Sequence, residues 1–317
     1  MKKIRPVLSL VIVMLSAGIL ISAENKMRVN LEEVLSVGSL NDDTLFMWVD
    51  IEAVPGKGFY VTDTMDYSIK HFSAQGELIK KQGRKGQGPG EFLAPRSLEM
   101  TDAYIYVMDQ YLNGIHMFER DGLNFARIIP FRNPITDFKV ISDDRIAVIP
   151  TSMHSVGKIQ IIDSEGEKIS SFIYWDSGRI ALLDAVNFDI DRDGNIYMAY
   201  NFQDRVEKFN SEGKKIWSTS LLGKKKIEKE KVDRVTVPTE IVFLSLDRDA
   251  QGRIYVLGGD LSKNPRRDIY ILSPTGERIG TVTLSESSHC IHIDAENHLY
   301  ARGNAGVTIK KYRMTFE

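Results

Sequence analysis

An internal repeat constrains the fold of this chain more than any other feature. The repeat unit is clearest between Asn187 and Ile216. There, an apolar run ends in an Asp-Gly-Asn turn, a second run contains Tyr197, a third ends at Phe209, and a fourth follows Gly213. Turn residues at these offsets between short alternating segments predict four antiparallel strands joined by tight connections.

The spacing of the copies indicates how many units there are. In four copies the reference position, equivalent to Tyr197, is followed twelve residues later by an aromatic residue. In the other two copies an insertion precedes the second position, which is Ile162 or Leu272. A glycine follows the second position after four residues in every copy except the last. The six reference positions are separated by 46, 41, 50, 58 and 45 residues, and they are Tyr60, Tyr106, Ala147, Tyr197, Tyr255 and Tyr300. Four strands per unit at this period predict an all-β, six-bladed β-propeller with four-stranded antiparallel blades.

The two ends of the repeat region predict how the propeller closes. The last unit stops at Tyr312–Phe316, too early for a fourth strand, while residues 27–38 alternate between apolar and polar side chains. We therefore expect the N-terminal segment to supply the missing strand, because closing the ring removes exposed sheet edges. The repeat argues for one domain over residues 24–317, and a composition of 43% hydrophobic and 26% charged residues is that of an ordinary globular protein.

Residues 1–23 have a different composition. Three basic residues precede an apolar run from Val7 to Ile21, and Ser22-Ala23 follow it. This pattern predicts a secretory signal peptide cleaved after Ala23, and hence a secreted or periplasmic protein. An uncleaved membrane anchor is the alternative, but the run is shorter than the roughly 20 apolar residues of a bilayer span. No cysteine stands directly after the run, so no lipoprotein attachment is expected.

Charge and cysteine content exclude some functions. After cleavage, 38 basic and 43 acidic residues remain, a formal net charge of −5, which does not suggest a nucleic-acid partner. Cys290 is the only cysteine, so the chain forms no internal disulfide.

The loop between the first two units carries a family resemblance. The residues from Gly86 to Phe92 read Gly-Gln-Gly-Pro-Gly-Glu-Phe, and Pro95, Ile105–Asp109 and Phe118–Gly122 follow. This pattern resembles NHL-type repeats, in particular those of six-bladed β-propeller proteins secreted by bacteria. The third and fifth units depart from it. The resemblance implies the fold and a general role in binding, in a family whose members range from protein-binding scaffolds to hydrolases and lyases.

Propeller topology predicts which face carries a site. With strands A to D running outward in each blade, the B–C loops and the D–A links between blades emerge on one face. The four irregular insertions all fall on that face, at residues 151–157, 174–186, 223–240 and 258–267. Loops on a rigid scaffold commonly carry function, so we expect a small-molecule or protein partner to bind there.

Candidate binding residues follow from register. The residue ten positions before each reference position should lie near the start of the inner strand, at the mouth of the channel; these residues are Asp50, Arg96, Asp137, Asn187, Ser245 and Cys290. A register shift of one residue also brings in His289, and Tyr111 and Tyr200 lie in or beside B–C loops as candidate aromatic walls. A water-filled mouth with packed aromatics is the structural alternative.

The alternative function is a metal-assisted enzyme that uses the same mouth, such as a lactonase-like hydrolase or a lyase. Carboxylates and amides such as Asp50, Asp137 and Asn187 would then hold Ca²⁺ or Zn²⁺ to polarise a carbonyl or a water. We expect no cofactor in the binding-module interpretation, and no catalytic residue is assigned. Asp63 and Asp109, which follow strands, are expected to cap turns through backbone hydrogen bonds.

Overall fold

The computed structural model describes residues 27–131, 133–150, 157–174, 181–223, 228–232, 235–303 and 306–317. Six four-stranded antiparallel sheets, the blades, surround a central channel. The strands are β1 (Val29–Val37), β2 (Trp48–Val54), β3 (Gly58–Asp63), β4 (Ser68–Phe72), β5 (Leu78–Gln82), β6 (Pro95–Met100), β7 (Tyr104–Asp109), β8 (Gly114–Glu119), β9 (Phe125–Pro130), β10 (Ile135–Ser142), β11 (Arg145–Pro150), β12 (Lys158–Ile162), β13 (Lys168–Ile173), β14 (Val186–Ile190), β15 (Ile196–Tyr200), β16 (Val206–Phe209), β17 (Lys215–Thr219), β18 (Lys229–Val232), β19 (Val235–Pro238), β20 (Phe243–Arg248), β21 (Ile254–Gly258), β22 (Asp268–Leu272), β23 (Arg278–Thr283), β24 (Ile291–Ile293), β25 (His298–Gly303) and β26 (Thr308–Phe316).

The predicted six-bladed propeller is confirmed. Blades 1 to 5 are β2–β5, β6–β9, β10–β13, β14–β17 and β20–β23, each in sequence order from the channel outward. Blade 6 has the order β24–β25–β26–β1. The first strand therefore pairs antiparallel with the last, from Val29 opposite Phe316 to Val37 opposite Ile309. The predicted closure by the N-terminal segment is confirmed as well.

The core consists of six apolar clusters, each at an interface between neighbouring blades. The cluster between blades 6 and 1 shows how the ring closes, because Tyr300 and Ile309 pack there against Trp48, Phe59 and Phe72. Equivalent clusters join the other five pairs of blades. A single blade cannot cover both of its apolar faces, so the blades stabilise one another around the ring.

The glycine of the C–D turn has two roles. It adopts a left-handed backbone, with φ of 82° at Gly213 and 86° at Gly276. It also lies against the outer strand of the preceding blade. A Cβ atom on Gly213 would lie 2.6 Å from the ring of Phe172, and one on Gly276 would lie 2.6 Å from the ring of Trp217. A side chain at either position would therefore push neighbouring blades apart.

In blades 4, 5 and 6 the tyrosine at the reference position bonds to the A–B turn of its own blade. Its hydroxyl donates to an aspartate six residues earlier, at Asp191, Asp249 and Asp294, over 3.1, 2.9 and 3.4 Å. Each aspartate also accepts two backbone N–H groups of the A–B turn that follows it. The repeated tyrosine therefore fixes a turn on the face opposite the insertions.

The insertions lie in B–C loops and D–A links, as expected. The described part of the link between blades 4 and 5 forms a hairpin of β18 and β19, and a short 3-10 helix spans Ala181–Asp184 between blades 3 and 4. The predicted signal peptide lies outside the described residues, as do residues 151–156 and 175–180. Within the described ranges, no helix is long and apolar enough to cross a membrane.

Candidate functional site at the channel mouth

A cavity of about 600 Å³ occupies the end of the central channel where the inner strands begin. We call it the channel-mouth cavity. The inner strands of all six blades contribute to its lining, and blades 3 and 4 add wall residues from their B–C loops and the link between them, namely Pro150, Gly157, Tyr174, Asp184 and Asn201. The cavity is therefore on the face that carries the insertions.

One polar side chain from each blade forms a ring at the upper level of the cavity. We call this the upper ring, and its members in blade order are Asp50, Ser97, Asp137, Asn187, Ser245 and Cys290. Five of them are residues that the register predicts. Blade 2 differs because a bulge between Pro95 and Leu98 shifts the pairing of its inner strand. Ser97 consequently takes the ring position, and Arg96 lies exposed at the rim, where its Nη1 donates to Gln110 Oε1 over 3.1 Å.

A second ring lies two residues further along each inner strand. We call this the lower ring, and its members in blade order are Glu52, Glu99, Lys139, Asp189, Asp247 and His292. Successive side chains of a strand point to opposite faces, so residues two apart share the channel side. This alternation is the signal that could have identified the lower ring from the sequence. Its members lie eight residues before each reference position, or seven in blade 2.

Several ring side chains satisfy backbone groups of the neighbouring blade. The inner strand of each blade is an edge of its sheet. Its N–H groups that point away from the sheet therefore need acceptors from elsewhere. Asp50 Oδ2 accepts from Leu98 N over 2.8 Å, and Asp247 Oδ2 accepts from Ile293 N over 2.6 Å. Ser245 Oγ accepts from Ile291 N over 3.2 Å. These side chains therefore have a structural role whatever else they do.

The cations of the channel are paired with lower-ring carboxylates. Lys139 Nζ lies 2.5 Å from Glu99 Oε1, and His292 Nδ1 lies 3.1 Å from Asp247 Oδ2. The guanidinium of Arg248 reaches across from blade 5 to Asp189. Buried charges are stable only when paired or hydrogen-bonded, so these pairs account for three of the lower-ring acids.

Burial changes the proton affinity of the lower ring. Desolvation raises the pKa of Glu52 to about 7, against the opposing effect of His292 and Lys139. Desolvation also raises the pKa of Glu99 well above its ordinary value, although Lys139 opposes this. For His292, desolvation lowers the pKa, but the carboxylates of Glu52 and Asp247 outweigh it and raise the value to about 10.

The upper-ring acids are also buried. Desolvation raises the pKa of Asp50 and of Asp137, and Lys139 in the layer below opposes both shifts. Desolvation and the nearby Asp50 carboxylate raise the pKa of the Cys290 thiol. A thiol with a raised pKa is a poor nucleophile, so Cys290 is better suited to lining the cavity than to covalent chemistry.

One upper-ring group has no partner. The side-chain nitrogen Nδ2 of Asn187 is buried and makes no hydrogen bond within the described part of the protein. An unsatisfied buried donor costs roughly 1–3 kcal/mol. Asn187 also lines the channel-mouth cavity, so rotation of its amide towards the cavity would let a bound acceptor atom satisfy this donor.

Residues 18–250 match a protein family described as a 6-bladed beta-propeller (DUF5128). The chain belongs to this family. No curated protein matches it. The predicted resemblance to bacterial six-bladed propellers is confirmed, whereas the NHL type of the repeats stays a prediction.

Similar solved structures are propellers of low sequence identity. A Bacteroides fragilis protein described as exported is 10% identical, with 93% of this chain and 96% of that chain covered and a TM-score of 0.63. A Bacteroides thetaiotaomicron protein of unknown function is 14% identical, with 91% and 76% covered and a TM-score of 0.60. The Cps50 (Swd1) propeller domain of Myceliophteria thermophila is 11% identical, with 90% and 100% covered and a TM-score of 0.55. These likenesses show the fold.

The remaining predicted residues are not all in the cavity. His289 lines it at the rim, with Nε2 2.6 Å from Arg266 Nη1. Tyr111 is 69% exposed and does not line the cavity. Tyr200 is fully buried between blades, where its hydroxyl donates to Glu207 Oε2 over 2.9 Å. Tyr200 is therefore a packing residue, because it ends strand β15 instead of entering the loop that follows.

The alternative metal site at Asp50, Asp137 and Asn187 requires converging ligand atoms. Within the described ranges, the one group of three carboxylate, imidazole or thiol ligand atoms that lie within 4.8 Å of one another is Asp294, Glu296 and His298. That group lies at an A–B turn on the opposite face, where Asp294 Oδ1 already holds the turn. The two upper-ring aspartates lie on blades 1 and 3, on either side of Ser97, and belong to no such group among the residues that the structure describes.

Proposed function

We propose that this propeller is a binding module whose ligand is a small polar molecule held in the channel-mouth cavity. The observation that carries the proposal is a cavity of about 600 Å³ with a polar ring, one of whose residues, Asn187, has a buried amide nitrogen with no acceptor among the described residues. Ligand pockets typically have volumes of about 300–1,000 Å³ and contain a few convergent polar groups. The upper ring supplies such groups from all six blades.

The distribution of the insertions supports ligand binding on the same face. Residues of the insertions add to the wall of the cavity beside blades 3 and 4, where Tyr174 and Asp184 are buried against it. The opposite face has short turns held by aspartate side chains. A scaffold that is regular at one end and elaborated at the other fits a binding role for the elaborated end.

A purely structural role explains part of the ring but not all of it. Hydrogen bonds to the neighbouring blade account for Asp50, Asp247 and Ser245. They do not account for Asn187, whose amide nitrogen has no acceptor among the described residues. If the channel residues only closed the ring, a channel filled with side chains would serve equally well. Small barrels are filled in this way.

The test is a ligand screen with a plugged variant. We expect ligand-observed NMR against a library of small polar molecules to identify binders of the wild-type protein that Ala185→Trp no longer binds. Ala185 lines the cavity and contributes no polar side-chain atom, so the substitution fills space without removing a ring contact. The control is Ile216→Trp on the exposed outer strand β17. Ligands that bind both variants equally would overturn the proposal.

We also propose that the protein is exported. The basic and apolar pattern of residues 1–23 supports this, as does the description of the Bacteroides fragilis relative as exported. Export would leave the propeller free in the periplasm or outside the cell, where a ligand from the surroundings can reach the open mouth.

A further inference from the structure

We propose that the ligand of the channel-mouth cavity is an organic cation that also carries a hydrogen-bond acceptor, such as a protonated amine with a hydroxyl, ether or carbonyl group. This inference rests on the proposed function and specifies its ligand class. Two features of the site support it: the charge balance of the two rings and the positions of the groups that have no ionic partner.

The carboxylates of the channel outnumber its cations. Six acids line the two rings, whereas among the described residues three cations reach them and a fourth, Arg96, lies exposed at the rim of the cavity. Each of the three contacts a different lower-ring acid: Lys139 contacts Glu99, Arg248 contacts Asp189 and His292 contacts Asp247. Three acids remain without an ion pair of their own within the described part of the chain, and they are Asp50, Asp137 and Glu52.

The two upper-ring acids are held by neutral donors. Asp50 accepts from the backbone nitrogens of Ile51 and Leu98, over 3.0 and 2.8 Å. Asp137 Oδ1 accepts from Ser97 Oγ over 3.0 Å and from Phe138 N over 2.9 Å. Lys139 is one layer deeper and is shared electrostatically among Glu99, Asp137 and Asp50. A positive group in the cavity would therefore meet carboxylates that are positioned but not neutralised.

The opposite half of the upper ring is neutral. It consists of Asn187, Ser245 and Cys290, and the Asn187 amide nitrogen is a buried donor with no acceptor among the described residues. A ligand that matches both halves has a positive group near Asp50 and Asp137 and an acceptor near Asn187. An anion would bring a further negative charge beside unpaired acids, and a neutral molecule would leave their charge uncompensated.

Binding of a cation should release protons. The carboxyl of Glu52 faces His292 of blade 6, Lys139 of blade 3, Asp247 of blade 5, Glu99 of blade 2 and Asp50 of its own strand. With a pKa of about 7 in the free protein, Glu52 is partly protonated at neutral pH. A bound cation favours the ionised form and lowers this pKa, so affinity should rise with pH by up to about tenfold per unit below pH 7.

The experiment uses probes that differ in charge on one scaffold. The first series is tyramine, tyrosol and 4-hydroxyphenylacetate, and the second is 4-aminobutan-1-ol, 1,4-butanediol and 4-hydroxybutanoate. We expect titration calorimetry to show binding of the amines, with proton release measured in two buffers of different ionisation enthalpy. Their affinity should fall by about tenfold or more in Asp137→Asn and should remain unchanged in Asp102→Asn, whose side chain is fully exposed.

Each outcome decides the inference. Equal or tighter binding of the neutral or anionic members, or no binding of any amine at millimolar concentration, would overturn the cation inference. Neither result would overturn the proposed function, which depends on the library screen with Ala185→Trp. The proton-release measurement uses the wild-type protein, so it remains decisive if Asp137→Asn fails to fold. Amine binding without proton release at pH 6 to 7 would also contradict the inference.

Discussion

Asp63 joins the segment that enters blade 1 to a buried lysine. Its two carboxylate oxygens accept from Phe46 N and Met47 N, each over 2.9 Å, so it holds the segment that enters the first inner strand. Lys70 Nζ lies 2.8 Å from the same carboxylate, and both side chains are buried. Asp109 holds the equivalent segment of blade 2 through Leu93 and Ala94, each over 2.7 Å. The sequence predicted backbone capping by both residues but not the buried lysine.

The Asp63→Ala substitution should therefore be strongly destabilising. It removes one of the two carboxylates that pair with the buried Lys70 ammonium, the other being Asp66, and leaves two N–H groups without acceptors. We expect a loss of about 3 kcal/mol in the free energy of unfolding. Urea denaturation followed by tryptophan fluorescence measures this loss. Asp102→Ala, on an exposed side chain, should change the value by less than about 0.5 kcal/mol. A similar small change for both variants would show that the Asp63 network contributes little.

The stability of the protein should depend on pH through Glu52. Its pKa is raised from 4.5 to about 7 in the folded state, so the folded state binds the proton more tightly than the unfolded chain. The corresponding stability is fully present below about pH 4.5 and is lost as the pH rises through 7, by up to roughly 3 kcal/mol. Glu52→Gln cannot ionise and should lose this dependence.

The measurement is the free energy of unfolding of Glu52→Gln minus that of wild type, at pH 4.5 and at pH 8. This difference should favour the variant more at pH 8. If the difference is the same at both pH values, the Glu52 carboxyl does not have the raised pKa.

At the residue scale, sequence reasoning found one ring and missed the other. Spacing from the reference positions placed five upper-ring residues, because strand register repeats from blade to blade. It selected Arg96 instead of Ser97, since a bulge is a local irregularity that spacing does not reveal. The pairing of Lys139 with Glu99 and of His292 with Asp247 joins different blades, so no local pattern encodes it.

At the scale of elements, strand β1 is the least locally determined part of the fold. It pairs with β26 nearly 280 residues later, and a bulge between Glu33 and Leu35 interrupts the pairing. Val34 is exposed at this bulge, whereas Leu35 packs into the cluster between blades 6 and 1. The Leu35 side chain also lies over Gly76, where an added Cβ would come within 3.2 Å of it.

Neighbouring substitutions on β1 test the closing strand. Leu35→Asp places a charge in an apolar cluster and should reduce the free energy of unfolding by about 2–4 kcal/mol. Val34→Asp, one residue earlier on the exposed side, should cost less than about 0.5 kcal/mol. Chemical denaturation of the two variants measures the difference. Equal effects would mean that β1 is not packed against blade 6 and blade 1 as described.

The elements themselves were largely predictable. Turn glycines and aromatic positions at fixed offsets predicted four strands per blade because each turn needs a residue that tolerates positive φ. The close approach of Gly213 to Phe172 and of Gly276 to Trp217 was not predictable, since it depends on how one blade packs on the next.

At the scale of the whole molecule, six similar interfaces close a ring around a polar channel. One end is regular and the other is enlarged by insertions, and the cavity lies at the enlarged end. The number of blades followed from the number of repeats. The cavity and its charge balance did not, because they arise where six strands from distant parts of the chain meet.

Export can be tested on the intact chain. When the full-length protein is expressed in a Gram-negative bacterium, we expect mass spectrometry of the purified protein to show an N-terminus at Glu24 and fractionation to recover it from the periplasm. Retention of residues 1–23 in a membrane fraction would support the uncleaved anchor.

The central claim is that the channel-mouth cavity binds a ligand, and the most direct test is a crystal structure of the protein with a ligand from the library screen. We predict electron density within the cavity, with an acceptor atom of the ligand about 3 Å from Asn187 Nδ2. A ligand bound elsewhere on the molecule, with the cavity containing only solvent, would contradict the claim.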